Sequence, residues 1–345
     1  MVQEEARMLK KVFVTGGAGF IGNAVVRRLL ACGYSVTAYD DLSTGAEENL
    51  PKDEALNLFV GDVGDFETTS LAIKGHEYVV HLAAQAFIPV CYNYSRSVAK
   101  TNALGSLNVF KASLNNRVKR IVHVSSCEVY GSAMYTPMDE LHPLNPRSTY
   151  AVSKLAGDLW AQTMAYEHNL PVVVLRPFNA FGPRDTCPRF IPEAVRQCLK
   201  ASAIEIGNLA TSRDFTYVED VAAAIVLALE NERIDGEVIN IGTGKSLKMS
   251  EILGMIEQET GNENKEVVED QSRFRRHDVT FLMANFKKAS TLLGWKPETE
   301  FAEGLQKTID WYSDNGMTWG YERRSLVSSL TQRPSLVSGD HGRES

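Results

Sequence analysis

The 345-residue sequence lacks the features that mark nucleic-acid-binding, disulfide-stabilised, zinc-binding and membrane-spanning chains. It has no long block of Lys and Arg, and its formal net charge is −7, so nucleic acid is not an expected partner. Its five cysteines are odd in number and never spaced C-x-x-C, so neither a disulfide framework nor a metal site is expected. It has no run of about 18 or more apolar residues, so no membrane span or membrane partner is expected.

The same absences favour a reducing compartment, where free cysteines are ordinary. Residues 1–10 mix charges and lack the apolar core of a signal peptide. We therefore expect a cytoplasmic protein. An acidic chain can still bind an anionic substrate, because a few local arginines suffice to hold a phosphate.

Strand-like and helix-like stretches alternate through the first half of the chain. Short β-rich runs occur at 12–14, 34–39, 58–60, 78–82, 120–124 and 171–175. Between the first two, residues 20–30 have the apolar spacing of a helix. This alternation predicts an α/β fold, a doubly wound parallel sheet of the Rossmann type with helices on both faces.

The pattern changes after Arg176, where prolines and glycines crowd residues 177–192. Helices are predicted at 193–200, 218–230, 250–260 and 301–315. We predict an N-terminal extension at 1–10, a dinucleotide-binding Rossmann domain at 11–175 and a smaller substrate-binding lobe at 176–320, partly interleaved with the first domain. Residues 321–345 have the composition of a disordered tail.

A glycine-rich segment, TGGAGFIG at 15–22, follows the first predicted strand and opens the first predicted helix. Gly16, Gly19 and Gly22 have the spacing that lets the chain turn tightly, admit a pyrophosphate and pack the helix on the sheet. Phe20 and Ile21 begin the helix, whose N-terminus attracts anions. A glycine turn without a ligand is the alternative, but the strand–helix context favours a bound dinucleotide.

Two acidic positions after the second and third strands point to the rest of that cofactor. Asp40 ends the second strand, where a carboxylate can accept hydrogen bonds from ribose hydroxyls. Asp41 adds a negative charge that disfavours the extra phosphate of NADP, so NAD is the predicted cofactor. Asp62 and Val63 are predicted to line the adenine, although Asp62 could instead cap a helix.

A second glycine segment, I-G-T-G-K-S at 241–246, resembles a phosphate-binding loop. That motif needs a further glycine at the position occupied by Ile239. We interpret the segment as a turn before a helix that Ser250 caps.

Tyr150 and Lys154 are four residues apart, which places them on one face of a helix. An ammonium near a phenol is expected to lower the phenol pKa and make Tyr150 a base for a hydroxyl proton. The Y-x-x-x-K pattern is common on surface helices. Here it follows a dinucleotide loop and the strand-end serines Ser125 and Ser126.

From about residue 11 to 315 the sequence resembles the extended short-chain dehydrogenase/reductases, the family of NAD-dependent nucleotide-sugar epimerases and dehydratases. The supporting motifs are TGGAGFIG at 15–22, HLAAQ at 81–85, Asn102, VSSCEVYG at 124–131, YAVSK at 150–154, RPFNAFGPR at 176–184 and RDFTYVEDVA from Arg213. The resemblance implies a nucleotide-sugar substrate and a homodimer formed through two helices of each subunit.

The resemblance also implies roles for individual residues. Ser126 would orient the sugar 4-hydroxyl, Tyr150 would act as the base, and Lys154 would also bind the nicotinamide ribose. Ala83 would line the cofactor. The expected substrate residues are Gln85, Asn179, Arg213, Arg275 and Asp278. Outside the family context, Arg275 and Arg276 look like a solvated charge run.

The chain has Cys127 and Glu128 after the catalytic serine, where many 4-epimerases have small or hydroxyl residues. This Cys-Glu pair resembles the tunicamycin-type 5,6-dehydratases, whereas 4,6-dehydratases commonly have Asp-Glu. If the strand continues that far, Ser126 and Glu128 share one face, since strand side chains alternate. Cys127 could donate a proton or be a small buried residue.

We therefore predict an NAD-dependent nucleotide-sugar dehydratase that oxidises C4, deprotonates C5 and eliminates the C6 hydroxyl as water. A UDP-sugar is the favoured substrate, and both 4,6- and 5,6-elimination stay open. The alternatives are a UDP-sugar 4-epimerase or UDP-glucuronate decarboxylase. A non-enzymatic NAD sensor has no need of Ser126, Tyr150 and Lys154 together.

Overall fold

The computed structural model describes residues 9–275 and 277–316. The predicted tail at 321–345, most of the predicted N-terminal extension and Arg276 lie outside the described residues.

The main sheet has seven strands in the order β10-β6-β5-β4-β1-β2-β3, and every neighbouring pair is parallel. Its strands are β1 (Lys11–Thr15), β2 (Ser35–Asp40), β3 (Leu56–Val60), β4 (Tyr78–His81), β5 (Arg120–Val124), β6 (Val172–Pro177) and β10 (Val238–Ile241). The predicted Rossmann-type α/β fold is confirmed.

Helices cover both faces of this sheet and continue into the C-terminal part. They are α1 (Phe20–Ala31), α2 (Phe66–Ile73), α3 (Ile88–Cys91), α4 (Ser95–Val98), α5 (Gly105–Asn115), α6 (Thr149–His168), α7 (Phe190–Lys200), α8 (Val218–Glu230), α9 (Met249–Thr260), α10 (Lys287–Leu293) and α11 (Phe301–Asn315). A π-helical segment, Ala99–Leu104, joins α4 to α5, and short 3-10 turns occur at Glu47–Asn49, Cys127–Tyr130 and Gln271–Arg273. Within the described ranges, no helix has both the length and the apolar composition needed to cross a membrane.

Alternate residues of the strands supply two apolar layers, one on each face of the sheet. Val12 and Val14 pack in the cluster that contains residues of α1 and α8. Phe13, between them, packs in the cluster that contains residues of α5 and α6. Because both faces are covered, a central strand such as β5 is buried at all five positions.

The strand order changes direction beside β1. From β1 the chain builds β2 and β3 on one side and then crosses to β4, β5 and β6 on the other. The loops after β1 and β4 therefore leave the sheet toward opposite faces and open a crevice at the carboxyl ends of the strands.

Two small sheets flank that edge. A three-stranded sheet has the order β11-β9-β7, and a parallel pair joins β12 to β8. Their strands are β7 (Asn179–Phe181), β8 (Ala203–Ile206), β9 (Ser212–Tyr217), β11 (Ser246–Lys248) and β12 (Glu266–Glu269). They pack with α7, α9 and α11 around an apolar cluster of their own. The chain after residue 176 also returns to the main sheet through β10, and the domain division at that residue stays a prediction.

The predicted cap of α9 is wrong. The helix begins at Met249 with Lys248 as its N-cap residue, and Ser250 lies inside the first turn. The Glu251 side chain accepts a hydrogen bond from the Lys248 backbone N–H at 2.9 Å, which satisfies a donor that precedes the helix.

Candidate functional site

One cavity of about 1200 Å³ opens at the carboxyl edge of the main sheet, between that sheet and the small sheets. Every predicted site residue lines it: Gly16, Gly19, Phe20, Ile21, Gly22, Asp40, Asp62, Val63, Ala83, Gln85, Ser126, Cys127, Glu128, Tyr150, Lys154, Asn179, Arg213, Arg275 and Asp278. The structure thus brings together residues that are up to 262 positions apart, from Gly16 to Asp278.

The glycine loop can only be built with glycines. Gly16 has a φ of +70°, and a Cβ at this position would lie 2.8 Å from the Ala83 backbone nitrogen. A Cβ on Gly22 would lie 1.9 Å from the Gly16 carbonyl oxygen. Gly19, the N-cap residue of α1, offers no side chain to cap the first turn. The free space and the backbone N–H groups at this helix start fit a pyrophosphate.

Asp40 ends β2 beside that loop and is largely buried, with 6% of its surface exposed. Its Oδ2 accepts a hydrogen bond from the Ala18 backbone N–H at 3.0 Å, and its Oδ1 accepts one from the Leu42 N–H at 2.9 Å. Asp40 therefore fixes the glycine loop and lines the cavity.

Asp62 does not cap a helix, since the N-cap residue of α2 is Asp65, which accepts from Thr68. The Asp62 carboxylate accepts from the Gly64 backbone N–H at 2.7 Å and from the Lys100 Nζ at 2.8 Å. Lys100 was not identified from the sequence, because it reaches Asp62 from the helical segment before α5.

Tyr150 and Lys154 lie one turn apart at the start of α6, whose first turn is capped by the Ser148 hydroxyl. The Lys154 Nζ donates a 2.6 Å hydrogen bond to the Val124 carbonyl oxygen at the end of β5. Burial lowers the pKa of Lys154 to about 8, and the nearby Asp158 carboxylate opposes this shift.

The expectation of a lowered Tyr150 pKa is wrong for this structure. Burial is the largest effect, and it raises the pKa of Tyr150, whereas a hydrogen bond with Ser126 opposes the rise. The Arg189 charge opposes the rise as well, and the Lys154 ammonium donates to the Val124 carbonyl oxygen. The phenol and the Ser126 hydroxyl nevertheless line the same cavity, where both can contact one bound hydroxyl group.

The strand does not continue to Glu128. β5 ends at Val124, and Cys127–Tyr130 form a 3-10 turn for which Ser126 is the N-cap residue. The Ser126 hydroxyl accepts a 3.2 Å hydrogen bond from the Glu128 backbone N–H. Strand alternation therefore does not put Ser126 and Glu128 on one face, and this prediction is wrong, because a serine cap competes with strand geometry at this point. The turn still places Ser126, Cys127 and Glu128 in the cavity wall.

Cys127 and Glu128 are both buried in that wall, with 2% and 9% of their surfaces exposed. Burial, followed by the nearby Glu128 carboxylate, raises the pKa of the Cys127 thiol well above its usual value. The thiol is therefore protonated at neutral pH and can act as a proton donor.

Two arginines face these groups from the C-terminal part. Arg213 is buried, and its Nη2 lies 3.0 Å from Asp278 Oδ1. The Arg275 Nη1 lies 3.4 Å from Glu128 Oε1, so the interpretation of Arg275 as a solvated charge is wrong. In the described part of the chain, Asn179 Oδ1 is buried beside the cavity and has no hydrogen-bond partner. A buried polar atom of this kind points to a polar ligand group.

A buried network behind the site was not foreseen. The Asp158 Oδ2 accepts from the Ser125 Oγ at 3.0 Å and from the Arg176 Nε at 2.8 Å. The Arg176 Nη1 donates to the Tyr130 hydroxyl at 2.8 Å, and that hydroxyl donates to Asn240 at 2.8 Å. The position of Asp158 four residues after Lys154 was the one available signal, since it placed both side chains on one helix face.

A second unforeseen network fixes the loop after β4. The Asn102 side chain accepts from the Gln85 backbone N–H at 2.8 Å and donates to the Ser153 Oγ at 2.9 Å. The Ser153 hydroxyl donates to the Tyr150 carbonyl oxygen at 2.7 Å. Asn102 thus ties the loop that carries Gln85 to the helix that carries Tyr150.

The comparisons with known proteins agree with this site. The family model of GDP-mannose 4,6 dehydratase matches residues 13–308. The dTDP-glucose 4,6-dehydratase of Streptomyces niveus is 34% identical over 90% of this chain and 94% of its own. Among solved structures, the dTDP-glucose 4,6-dehydratase of Streptomyces venezuelae with NAD bound has a TM-score of 0.84 at 31% identity, covering 88% of this chain and 97% of its own. The UDP-glucose 4-epimerase of Thermotoga maritima with UDP-glucose has a TM-score of 0.83 at 32% identity, covering 88% and 99%.

The chain belongs to the GDP-mannose 4,6-dehydratase family of extended short-chain dehydrogenase/reductases. The predictions of an NAD-dependent enzyme and of the dehydratase–epimerase class are confirmed at the level of this family.

The buried Lys154 generates a prediction about stability. Replacing Lys154 with Met should raise the free energy of unfolding at pH 7, measured without added cofactor, by about 1–3 kcal/mol, because a pKa lowered to about 8 means that burying the ammonium is costly. The lost hydrogen bond to Val124 offsets part of the gain. Urea denaturation at several pH values checks this.

The difference in unfolding free energy between the two proteins should depend on pH. The unfolded lysine stays protonated up to about pH 10.5 and the folded one up to about pH 8, so the wild type gains stability between these values and the difference should narrow there. The exposed Lys111→Met variant is the control and should show no such trend. A Lys154→Met protein that is less stable than the wild type at pH 7 would contradict the assignment.

Proposed function

We propose that the enzyme is a nucleotide-sugar dehydratase, a lyase that removes water across C5 and C6 of a nucleoside-diphosphate sugar. The observation that carries this proposal is the position of Glu128. A buried carboxylate lies two residues after Ser126 in the wall of the cavity that also contains Tyr150 and Lys154. Exchange of protons at C4 alone does not need this carboxylate, whereas removal of the C5 proton needs a base.

NAD is the proposed cofactor, and when bound it supplies the oxidation of the C4 hydroxyl and its reversal. Gly16, Gly19 and Gly22, with Phe20 and Ile21, would hold its pyrophosphate at the start of α1. Asp40 would hold a ribose, and Asp62, Val63 and Ala83 would line the adenine-ribose side. The carboxylates of Asp40 and Asp41 disfavour a further phosphate at that ribose.

The substrate diphosphate is assigned to the arginine side of the cavity. Arg213 and Arg275 provide two guanidinium groups, and the Asn179 side chain adds an amide, so charge-assisted hydrogen bonds to phosphate are available. Asp278, which holds Arg213 in place, is assigned to the nucleoside ribose, and Gln85 to the sugar. We favour UDP as the nucleotide on this Asn179, Arg213 and Arg275 pattern.

The first proton transfer is assigned to Ser126 and Tyr150. Both side chains line the same cavity, so a sugar 4-hydroxyl bound there can pass its proton to Tyr150 in its phenolate form. Lys154, one helix turn away, is assigned to the nicotinamide ribose. The Ser126 and Tyr150 hydroxyls thus position the substrate and move one proton at the C4 oxygen.

The elimination is assigned to Glu128 and Cys127. Oxidation of C4 to a ketone acidifies the C5 hydrogen, which the Glu128 carboxylate removes. The C6 hydroxyl then leaves as water with a proton from Cys127, whose raised pKa keeps the thiol protonated. The product has the composition of the substrate less one water, whether the double bond is retained at C5–C6 or reduced at C6.

A 4-epimerase is the second candidate, supported by the similarity to UDP-glucose 4-epimerase structures. It would use Ser126 and Tyr150 in the same way but would leave the C5 hydrogen in place. A UDP-glucuronate decarboxylase is a further alternative on this scaffold.

We also propose a cytoplasmic homodimer. Helix α6 exposes Val152, Leu159 and Trp160, whose surfaces are 55%, 49% and 41% exposed. Apolar side chains on one long helix support its use as a subunit interface.

The Tyr150→Phe variant should lose about two to four orders of magnitude in kcat, because the phenol acts on a proton in transfer, while KM changes little. Steady-state kinetics with the preferred nucleotide sugar check this. Tyr166→Phe, at an exposed position of the same helix, is the matched control. Near-normal kcat in Tyr150→Phe would remove this residue from the mechanism.

The Glu128→Gln variant separates dehydration from epimerisation. In deuterium oxide the wild type should exchange the C5 hydrogen and release water, and Glu128→Gln should do neither while still forming reduced cofactor from C4 oxidation. Mass spectrometry of the sugar and absorbance of the reduced cofactor report the two steps. Glu167→Gln, an exposed position of α6, is the control. Turnover to the C4 epimer with the C5 hydrogen retained would establish the epimerase instead.

A further inference from the structure

The glycine segment at 241–246, which resembles a phosphate loop, surrounds a carboxylate of the protein itself. Asp214 is fully buried. Its Oδ1 accepts hydrogen bonds from the Thr243 backbone N–H at 2.9 Å and from the Thr243 Oγ1 at 2.6 Å. Its Oδ2 accepts from the backbone N–H groups of Gly244 at 2.9 Å and Ala284 at 3.0 Å. Successive N–H groups that converge on one anion are the same device that holds phosphate in true phosphate loops.

The glycines of this segment are needed for the close approach. Gly244 has a φ of +71°, and a Cβ on Gly242 would lie 2.3 Å from the Ala284 Cβ. Burial raises the pKa of Asp214, and the hydrogen bonds from Thr243, Ala284 and Gly244 oppose the rise. Four donors thus replace the water that the carboxylate loses on burial.

Asp214 joins three chain segments that are far apart in sequence. It lies on β9 and binds the 242–245 turn and the segment 278–285. That segment also pairs directly with β9, since the Ser212 N–H donates to the Thr280 carbonyl oxygen at 3.0 Å and the Leu282 N–H donates to the Ser212 carbonyl oxygen at 3.2 Å. The neighbouring side chains Arg213 and Asp278, which form the ion pair at the cavity, are carried by the two joined segments.

The same segment reaches the other wall of the cavity. The Ala133 N–H donates to the Phe281 carbonyl oxygen at 3.4 Å, and the Met138 N–H donates to the Met283 carbonyl oxygen at 2.8 Å. These contacts attach the segment to the chain that follows the Cys127–Tyr130 turn. A shift of the segment 278–285 would therefore change the distance between the substrate-binding side chains on the two walls of the cavity.

We propose that Asp214 is a positioning residue that sets Arg213 and Asp278 for the nucleoside diphosphate of the substrate. The inference rests on the proposed function, in which Arg213 binds the diphosphate. A carboxylate is required because three of its four partners are backbone N–H groups, which can only donate. An asparagine would turn its NH₂ group toward at least one of these donors and lose the bond.

The test is a double-mutant cycle with UDP as the probe. Asp214→Asn should weaken UDP binding roughly tenfold or more, as Arg213→Ala should, since each removes charge-assisted contacts. In the Arg213→Ala background, Asp214→Asn should change the UDP dissociation constant clearly less than it does in the wild type, because one of the two residues that it positions is gone while Asp278 remains. NAD affinity should stay unchanged in all variants. Isothermal titration calorimetry on the full chain measures the affinities for UDP and for NAD.

A matched pair covers the case in which Asp214→Asn does not fold. Thr243→Val removes one of the four hydrogen bonds and should weaken UDP binding a few-fold, whereas Thr243→Ser keeps the hydroxyl and should bind as the wild type does. Equal UDP affinity in Thr243→Val and Thr243→Ser would overturn the proposal in that case.

The results distinguish an error in the proposed substrate site from an error in the positioning role of Asp214. If Arg213→Ala leaves UDP affinity unchanged, the proposed substrate site is wrong. If Arg213→Ala weakens UDP binding but Asp214→Asn does not, or if the two effects add fully, only the positioning role of Asp214 is overturned. A loss of NAD affinity that equals the loss of UDP affinity would mean that Asp214 serves general stability, which also overturns it.

Discussion

The reversal of strand order beside β1 is the constraint on which the site depends. In a parallel sheet all carboxyl ends lie on one edge, and at the β1–β4 boundary the following loops separate to opposite faces. The glycine loop after β1 and the Gln85 loop after β4 therefore lie on the two sides of one crevice. The ends of β5 and β6 add Ser126 and Asn179 along the same edge, so a cofactor and a sugar can meet there.

The charges around this crevice are each held by specific partners, since burying a charge without compensation is costly. Lys154 has the Val124 carbonyl oxygen, Asp158 has Ser125 and Arg176, and Asp214 has four donors. The contact between Arg275 and Glu128 is looser, with 3.4 Å between the Arg275 Nη1 and the Glu128 Oε1. The buried charges behind the site are thus firmly held, whereas Glu128, the proposed base, has a longer contact with its partner.

The sequence reveals what depends on local spacing. The glycine loop and the Tyr150–Lys154 pair could be predicted because a turn or a helix relates their members over a few residues. The prediction that the strand continues to Glu128 was wrong because Ser126 caps a 3-10 turn at this point. The Asp158–Arg176 network and the hydrogen bonds around Asp214 could not be predicted. Their partners meet only when distant strands are in register, which residue spacing alone does not specify.

The proposed reaction at this site is the removal of water from a nucleotide sugar. The most direct measurement is product mass after incubation of the purified protein with a panel of UDP-, dTDP- and GDP-sugars. We expect that one of the sugars, with a UDP-sugar favoured, gives a product lighter than its substrate by one water, without consumption of NAD. A product of unchanged mass that differs only in configuration at C4, with no dehydrated product from any sugar, would contradict it.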